Sequence, residues 1–420
     1  MATHPTNNVA RISKFSIMAS MKRQSPQIIQ LTEYKSESFD RDTIPESVGE
    51  KIYQNYAKEI DIEFPNPKTK YKWQLKSQGI VGNIPITPQF HIVISPKVPI
   101  ANLFGMLEYA YELKINFPKG QIECQSLEQV HERLANILAH KILERCRKGL
   151  YRDYLPKIEK LAYIRGRIDI RQAVQKPWEV KLKCHYNEQT GDIEDNQILA
   201  WTLFIIGRSG LCRESVSSTV RKAFHALQGF VTLTSFKPEA CIDRNYHRLN
   251  QDYQILHALC RFFLENTGPS HEKGDRQMLP FLINMASLYE QFVAEWLKAN
   301  TPKGFLVKKQ HRVTHDQNYF DRIDLLLCDI ETGKVQYVLD TKYKAPDKVA
   351  NNDIHQIVAY AKALKCQNAI LVYPQDLKQP LDIKYDDIRV RSLTFSLNSD
   401  LNQAGKTFLT SLPPNTLSYW

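Results

Sequence analysis

No apolar run in this 420-residue chain comes near the ~20 residues that a membrane-spanning helix needs. A membrane is therefore not expected among its partners. Cysteine is present but never closely paired: Cys124, Cys146, Cys184, Cys212, Cys241, Cys260, Cys328 and Cys366 include no C-x-x-C. That scatter argues against a disulfide framework and a zinc knuckle, and it fits a reducing, cytoplasmic setting. His311 and His315 have the i, i+4 spacing of a zinc pair. The residues around Val313 nevertheless read as strand or loop, not as the helix such a pair requires. The chain also lacks a G-x-x-x-x-G-K-[ST] loop, so it carries no phosphate cradle of that type. Neither an internal repeat nor a low-complexity segment is visible.

What is present is the composition of an ordinary globular protein, 43% hydrophobic and 24% charged. This length gives room for two or three domains, each with its own core. Basic residues outnumber acidic ones, 56 to 45, for a net charge of +11. Such a balance suits a polyanionic partner, and it equally suits a merely basic soluble protein. Lys141, Arg145, Arg147, Lys148, Arg152 and Lys157, with Tyr151 and Tyr154 between them, can meet a nucleic-acid backbone or form a solvated face.

Residues 1–27 are polar and contain no acid. They read as a disordered tail, or as a start upstream of Met18 or Met21, in preference to an organellar transit peptide. Residues 28–118 predict an amino-terminal domain of short strands and one or two helices. Strands are expected over 79–86 and 90–97 around Thr87-Pro88-Gln89, then a helix over 103–113. No catalytic constellation falls there, which leaves a docking role. Residues 119–268 predict a mainly helical middle domain, with helices over 127–147, 197–206 and 253–265. Asp195 or Asn196 is the expected N-cap of the second, and 163–170 is expected to interrupt as a strand or turn. Thr267-Gly268-Pro269-Ser270, followed by charged residues 271–276, marks the boundary to a last domain over 269–420. The expected class is α/β, α+β overall.

The chemistry concentrates in that last segment. Two apolar runs, 323–328 and 335–339, flank a polar Asp329-Ile330-Glu331-Thr332-Gly333-Lys334 connection, the pattern of a hairpin. Side chains alternate faces along a strand, so Asp340 and Lys342 share one face, and antiparallel pairing can bring Asp324 beside them. Two carboxylates and an ammonium on one face need a reason, because unpaired charge is costly to desolvate. A Mg²⁺ held by hard oxygens is one reason; a plain cross-strand ion pair is another. Upstream, Met285, Leu288, Phe292 and Trp296 fall at helical spacing with Glu290 on their flank. Downstream, Gln356 and Tyr360 share a helix face, and 369–373 reads as a buried strand ending at Pro374. Helix, hairpin, helix, strand is the order of the PD-(D/E)xK nuclease core, which Asp324 … Asp340-Thr341-Lys342 resembles. In that chemistry Asp324 and Asp340 hold Mg²⁺, with the Thr341 carbonyl as a further ligand. Lys342 orients the attacking water and offsets negative charge, and Glu290 reaches the metal through a water or serves as an added acid. Gln356 and Tyr360 position the lysine or the substrate.

Over roughly 28–373 the chain resembles the McrC family, the nuclease subunit of McrBC-type modification-dependent restriction systems. The carriers are Val81-Gly82, Ile94-Ser95-Pro96-Lys97, Met106-Leu107-Glu108-Tyr109 and Arg165-Gly166-Arg167-Ile168. They continue with Cys184-His185-Tyr186-Asn187-Glu188, Asp192, Asp195-Asn196-Gln197-Ile198-Leu199, the 285–293 stretch and the Asp324 … Lys342-Tyr343 core. The resemblance implies a division of labour. A McrB-like AAA+ ring, usually a GTPase and otherwise an ATPase, carries the reader of modified DNA. The McrC-like chain docks through its amino-terminal part and brings the nuclease to double-stranded DNA. Two other classes stay open: a noncatalytic adaptor that stimulates an AAA+ ring, and a free-standing repair nuclease.

Overall fold

A computed structural model describes residues 26–113, 126–268, 279–316, 319–344 and 346–412. Residues 1–25 of the tail expected over 1–27, the charged stretch after Gly268 and the last eight residues lie outside them, whereas Gln27, expected in the tail, already opens the first strand.

The first segment contains β1 (Gln27–Thr32), β2 (Ser36–Phe39), α1 (Glu46–Tyr56), β3 (Ile60–Glu63), β4 (Trp73–Ser77), β5 (Ile80–Thr87), β6 (Phe90–Ser95) and α2 (Ile100–Ala110). The hairpin expected around Thr87-Pro88-Gln89 is β5–β6, and β1 adds to it in parallel. A smaller antiparallel sheet, β2-β4-β3, lies beside it. Ile29, Leu31, Ile52, Trp73, Leu75, Ile84 and Ile92 form the core between these elements.

The middle segment has α3 (Leu127–Lys148), β7 (Asp153–Leu161), β8 (Arg167–Ile168), α4 (Ile170–Gln175), β9 (Leu182–Thr190), α5 (Glu194–Ser209), α6 (Glu214–Gln228) and α7 (Tyr253–Asn266). It is therefore less purely helical than expected, because β7, β9 and β8 form an antiparallel sheet. The N-cap expectation for α5 is also corrected. The helix starts at Glu194 with Ile193 at the cap and no side-chain capping bond. Asp195 and Asn196 lie in its first turn, where more distant groups engage them. Asn196 Nδ2 donates to the Tyr151 and Gly191 carbonyls at 2.9 and 2.8 Å, and its Oδ1 accepts from the Tyr253 hydroxyl at 2.6 Å. Asp195 pairs with Arg244 at 3.1 Å. Part of the basic stretch is neutralised locally: Arg145 meets Asp252 at 3.3 Å, and Lys157 pairs with Glu188.

The last segment begins with β10 (Phe281–Asn284), which pairs antiparallel with β5 and completes a four-stranded sheet β1-β6-β5-β10. Gly82 makes this approach possible. Its φ is +145°, and a Cβ there would sit 1.9 Å from the Phe281 carbonyl oxygen. Then follow α8 (Met285–Asn300), β11 (Phe305–Asp316), β12 (Tyr319–Asp329), β13 (Val335–Thr341), α9 (Asn351–Ala363), β14 (Asn368–Tyr373), β15 (Asp382–Tyr385), β16 (Ile388–Thr394) and α10 (Leu401–Thr410). The strands make one mixed sheet in the order β11-β12-β13-β14-β16-β15. The predicted hairpin is β12–β13: Asp329 Oδ1 accepts from the Thr332 amide at 2.8 Å, and Gly333 turns the chain at φ +66°.

Period-two alternation splits this sheet into two faces. Leu325, Leu327, Tyr337, Leu339, Ile370 and Val372 join α8 and α10 in the largest core. Leu326, Cys328, Val338, Ala369, Leu371 and Tyr373 pack with Ile357, Val358 and Ala361 of α9. The largest core also runs through α2, α3, α5 and α7, so the three segments share buried surface. The whole is a mixed α+β chain, as expected. Among the described residues no helix is long and apolar enough to cross a membrane, and the described cysteines are free.

Candidate active site

The mixed sheet opens at one point. Leu325 and Leu339 are the last paired residues between β12 and β13. Beyond them β13 keeps its parallel partner β14, with Asp340 opposite Leu371 and Thr341 opposite Val372. Asp324 and Asp340 are the next residues on the two parting strands, so both carboxylates stand at the mouth of a fork. Asp324 is fastened there: its Oδ2 accepts from the Thr341 amide at 2.8 Å and from the Thr341 hydroxyl at 2.9 Å. Asp340 is 3% exposed.

Lys342 follows two residues on. Its Nζ lies 2.7 Å from Asp340 Oδ2, and its amide donates to the Val372 carbonyl at 2.8 Å. From α9, Gln356 Oε1 accepts from Lys342 Nζ at 3.1 Å, while Gln356 Nε2 donates to the Tyr360 hydroxyl at 2.7 Å. These two residues thus reach the site as a chain ending on the ammonium. One turn earlier on α9, Asp353 lies 3.7 Å from Lys342 Nζ and 2.7 Å from Lys344 Nζ. Sequence reasoning missed Asp353, although its spacing to Gln356 and Tyr360 places all three on one helix face.

Glu290 arrives from the opposite side of the sheet. Asn284 ends β10 and caps α8 by accepting from the Ser287 amide at 2.9 Å, which sets the start of the helix. Tyr289 and Phe292 enter the core on either side of Glu290, which leaves its carboxyl near the fork. Gln310 Nε2 donates to Glu290 at 3.3 Å and is itself held by Arg322. Gln310 has a φ of +49° and interrupts the β11–β12 ladder opposite Asp324.

The electrostatics bind these groups into one system. Burial, then the charge of Asp324, pushes the Glu290 carboxyl up to about 7, against the pull of Gln310 and Arg322. Burial and Asp324 likewise push Asp340 up to about 6, against Lys342. Burial opposes the Lys342 charge, but Asp340, Asp353 and Asp324 outweigh it, and the ammonium is held above its ordinary value. Carboxyls raised by burial and by the same neighbouring Asp324 are short of positive charge, and Lys342 supplies only part of it. The donor set suits a hard divalent cation that keeps several waters, because such a cation takes only one or two carboxylates. Among the described residues, no group of three or more His, Cys, Asp or Glu is placed to hold a metal ion. The contacts described for Thr341 run through its amide and hydroxyl to Asp324.

The family described as McrBC 5-methylcytosine restriction system component matches residues 75–374, most of the chain. EcoKMcrBC of Escherichia coli K12, a type IV methyl-directed restriction enzyme, is 23% identical over 303 residues, covering 66% of this chain and 86% of that protein. A solved half-complex from a tetradecameric assembly of Thermococcus gammatolerans McrB AAA+ hexamers with bound McrC contains a chain of similar fold. That chain superposes with a TM-score of 0.54 at 15% identity, covering 92% of this chain and 100% of its own length. The family match takes in both acidic strands, α8 and α9, and the chain belongs to the McrBC 5-methylcytosine restriction system component family, as a subunit of the McrC type.

Proposed function

We propose that this chain is the nuclease subunit of a McrBC-like restriction complex. It cleaves modified, methylated double-stranded DNA with Mg²⁺ when docked on a McrB-like AAA+ GTPase or ATPase ring, whose nucleotide hydrolysis it stimulates. The observation that carries the reading is the fork itself, where Asp340 meets Lys342 at 2.7 Å and Asp324 stands on the facing strand. The order α8, β12–β13, α9, β14 around that fork supports a PD-(D/E)xK nuclease domain over 269–420. The segment over 28–118, free of catalytic groupings, is assigned to docking, and 119–268 links the two. The +11 net charge suits a DNA partner.

In this mechanism Asp324 and Asp340 would hold the cation, with the Thr341 carbonyl as the further ligand. When bound, the cation polarises the scissile phosphate and lowers the pKa of the attacking water. Lys342 orients that water and offsets the negative charge that develops on the phosphate. Gln356, braced by Tyr360, keeps the ammonium aimed at the fork. Glu290, raised to about 7, is poised to hold or release a proton near neutral pH.

The test uses the chain assembled with its AAA+ partner, on methylated and unmethylated DNA. Asp340→Ala and Lys342→Ala should each lower cleavage by roughly 100-fold or more, while ring binding and stimulation of nucleotide hydrolysis persist. Cleavage that survives both changes would overturn the assignment of Asp340 and Lys342 as the site. Full activity of the chain without a partner would make it a free-standing nuclease.

A further inference from the structure

Asp353 belongs to none of the motif positions, yet it is 7% exposed and points at the reacting lysine. It lies in the first turn of α9, where a carboxylate is favoured by the helix N-terminus. Its Oδ1 is 3.7 Å from Lys342 Nζ, and its Oδ2 is 2.7 Å from Lys344 Nζ. Lys342 therefore has two anionic neighbours, Asp340 on its own strand and Asp353 on the helix, with the neutral Gln356 oxygen as a third contact.

The two anions cannot serve alike through the reaction. In the function proposed above, on which this inference rests, Asp340 turns its charge to the cation. The Lys342 side chain is only 17% exposed, so water replaces little of the lost counter-charge. An ammonium left there with Gln356 alone would be a poorly compensated buried charge. It would stay on Asp340 and compete with the cation, or swing out of the site.

We propose that Asp353 is the positioning residue that takes over Lys342 when Asp340 engages the cation. The 3.7 Å separation, longer than the 2.7 Å contact to Asp340, is the distance the ammonium closes on being handed over. Lys344, 2.7 Å from the outer oxygen, holds the Asp353 carboxylate in place from the solvent side.

The experiment compares Asp353→Asn, Asp353→Ser and Asp353→Glu with the unaltered chain in its complex with the AAA+ partner. Single-turnover cleavage is measured at saturating DNA and Mg²⁺. Ca²⁺ binding to the chain is followed separately by thermal shift, without DNA or turnover. Asp353→Asn and Asp353→Ser should each slow single-turnover cleavage roughly 10- to 100-fold, with DNA affinity in Ca²⁺ within about twofold. Their Ca²⁺ midpoint should rise several-fold, because Lys342 no longer has an alternative to Asp340. Asp353→Glu should recover most of the rate, and Asp353→Ser keeps the test open if the asparagine variant fails to fold. A lowered melting temperature with the Ca²⁺ midpoint and cleavage rate unchanged would reduce Asp353 to a structural contact and overturn the inference. Cleavage that survives Asp340→Ala would instead overturn the nuclease reading beneath it.

Discussion

Glu33, just past the end of β1, is fully buried, and its carboxylate reaches into the last segment of the chain. Its Oε2 accepts from the Lys97 amide at 3.3 Å and from the Tyr343 hydroxyl at 3.2 Å. Tyr343 directly follows Lys342, and its ring packs 5.9 Å from that of Tyr289, the neighbour of Glu290. Glu33 is thus a buried tie between the amino-terminal sheet and the strand end that carries the candidate site. Burial pushes its carboxyl from the ordinary 4.5 up to about 7, although the Lys97 amide, the Tyr343 hydroxyl and the Lys97 charge all pull it down. The folded chain therefore holds this proton more tightly than the unfolded chain. The stability that Glu33 contributes is fully present below about pH 4.5 and is lost as pH rises through about 7.

Replacement by Gln removes the ionisation and keeps an oxygen that can accept both hydrogen bonds. A tenfold change in proton affinity is worth about 1.4 kcal/mol, so at about pH 8 the ionised Glu33 costs about 3 kcal/mol that Gln does not. At about pH 5 the difference falls below about 1 kcal/mol. For a chain of this size, 1 kcal/mol moves the melting temperature by roughly 1 °C. Glu33→Gln should therefore melt about 3 °C above the unaltered chain at pH ~8 and within about 1 °C of it at pH ~5. Melting curves of both proteins across that range provide the assay. A gain independent of pH, or a Gln variant less stable at the alkaline end, would refute the assignment of a costly buried carboxylate.

Gly82→Ala should destabilise the chain by about 3 kcal/mol or more, since the added Cβ collides with the Phe281 backbone at a φ that alanine resists; loss of cooperative melting or of soluble protein is the readout. Tyr360→Phe should slow single-turnover cleavage by about fivefold with little change in melting, because it strips one hydrogen bond, worth about 1 kcal/mol, from the Gln356 brace on Lys342. Gln356→Ala should cost at least as much, and a rate unchanged in both variants would remove them from the site.

What could be read in advance had local causes. The hairpin over β12 and β13 was legible because both sheet faces are buried and its turn carries Asp329, Thr332 and Gly333. Asp340 and Lys342 were legible as a pair because two residues along a strand return to one face. The β7–β9 pairing was not, since almost every β7 side chain is exposed and the burial that normally writes an alternating pattern is missing. Pro156 within β7 further hides the strand. The partner of β10 lies some two hundred positions earlier, so nothing near Phe281 announces it.

The same distinction runs through the site. Residues linked by strand spacing appear in the motif, whereas those that meet them in space come from elements joined only by folding. Gln310 acts through a left-handed backbone that no neighbouring glycine signals, and Glu33 acts across the boundary between the first sheet and the last. Asp353 stands between these cases, because its i, i+3 relation to Gln356 is local while its meaning depends on Lys342 lying beneath that face. An acid on the face of a helix that already braces a half-buried lysine is therefore worth weighing as a counter-charge before it is read as a solvated one. The short D-x-K segment fixes where the charges converge, and the packing of α8 and α9 on opposite faces of the sheet decides which additional acids share them.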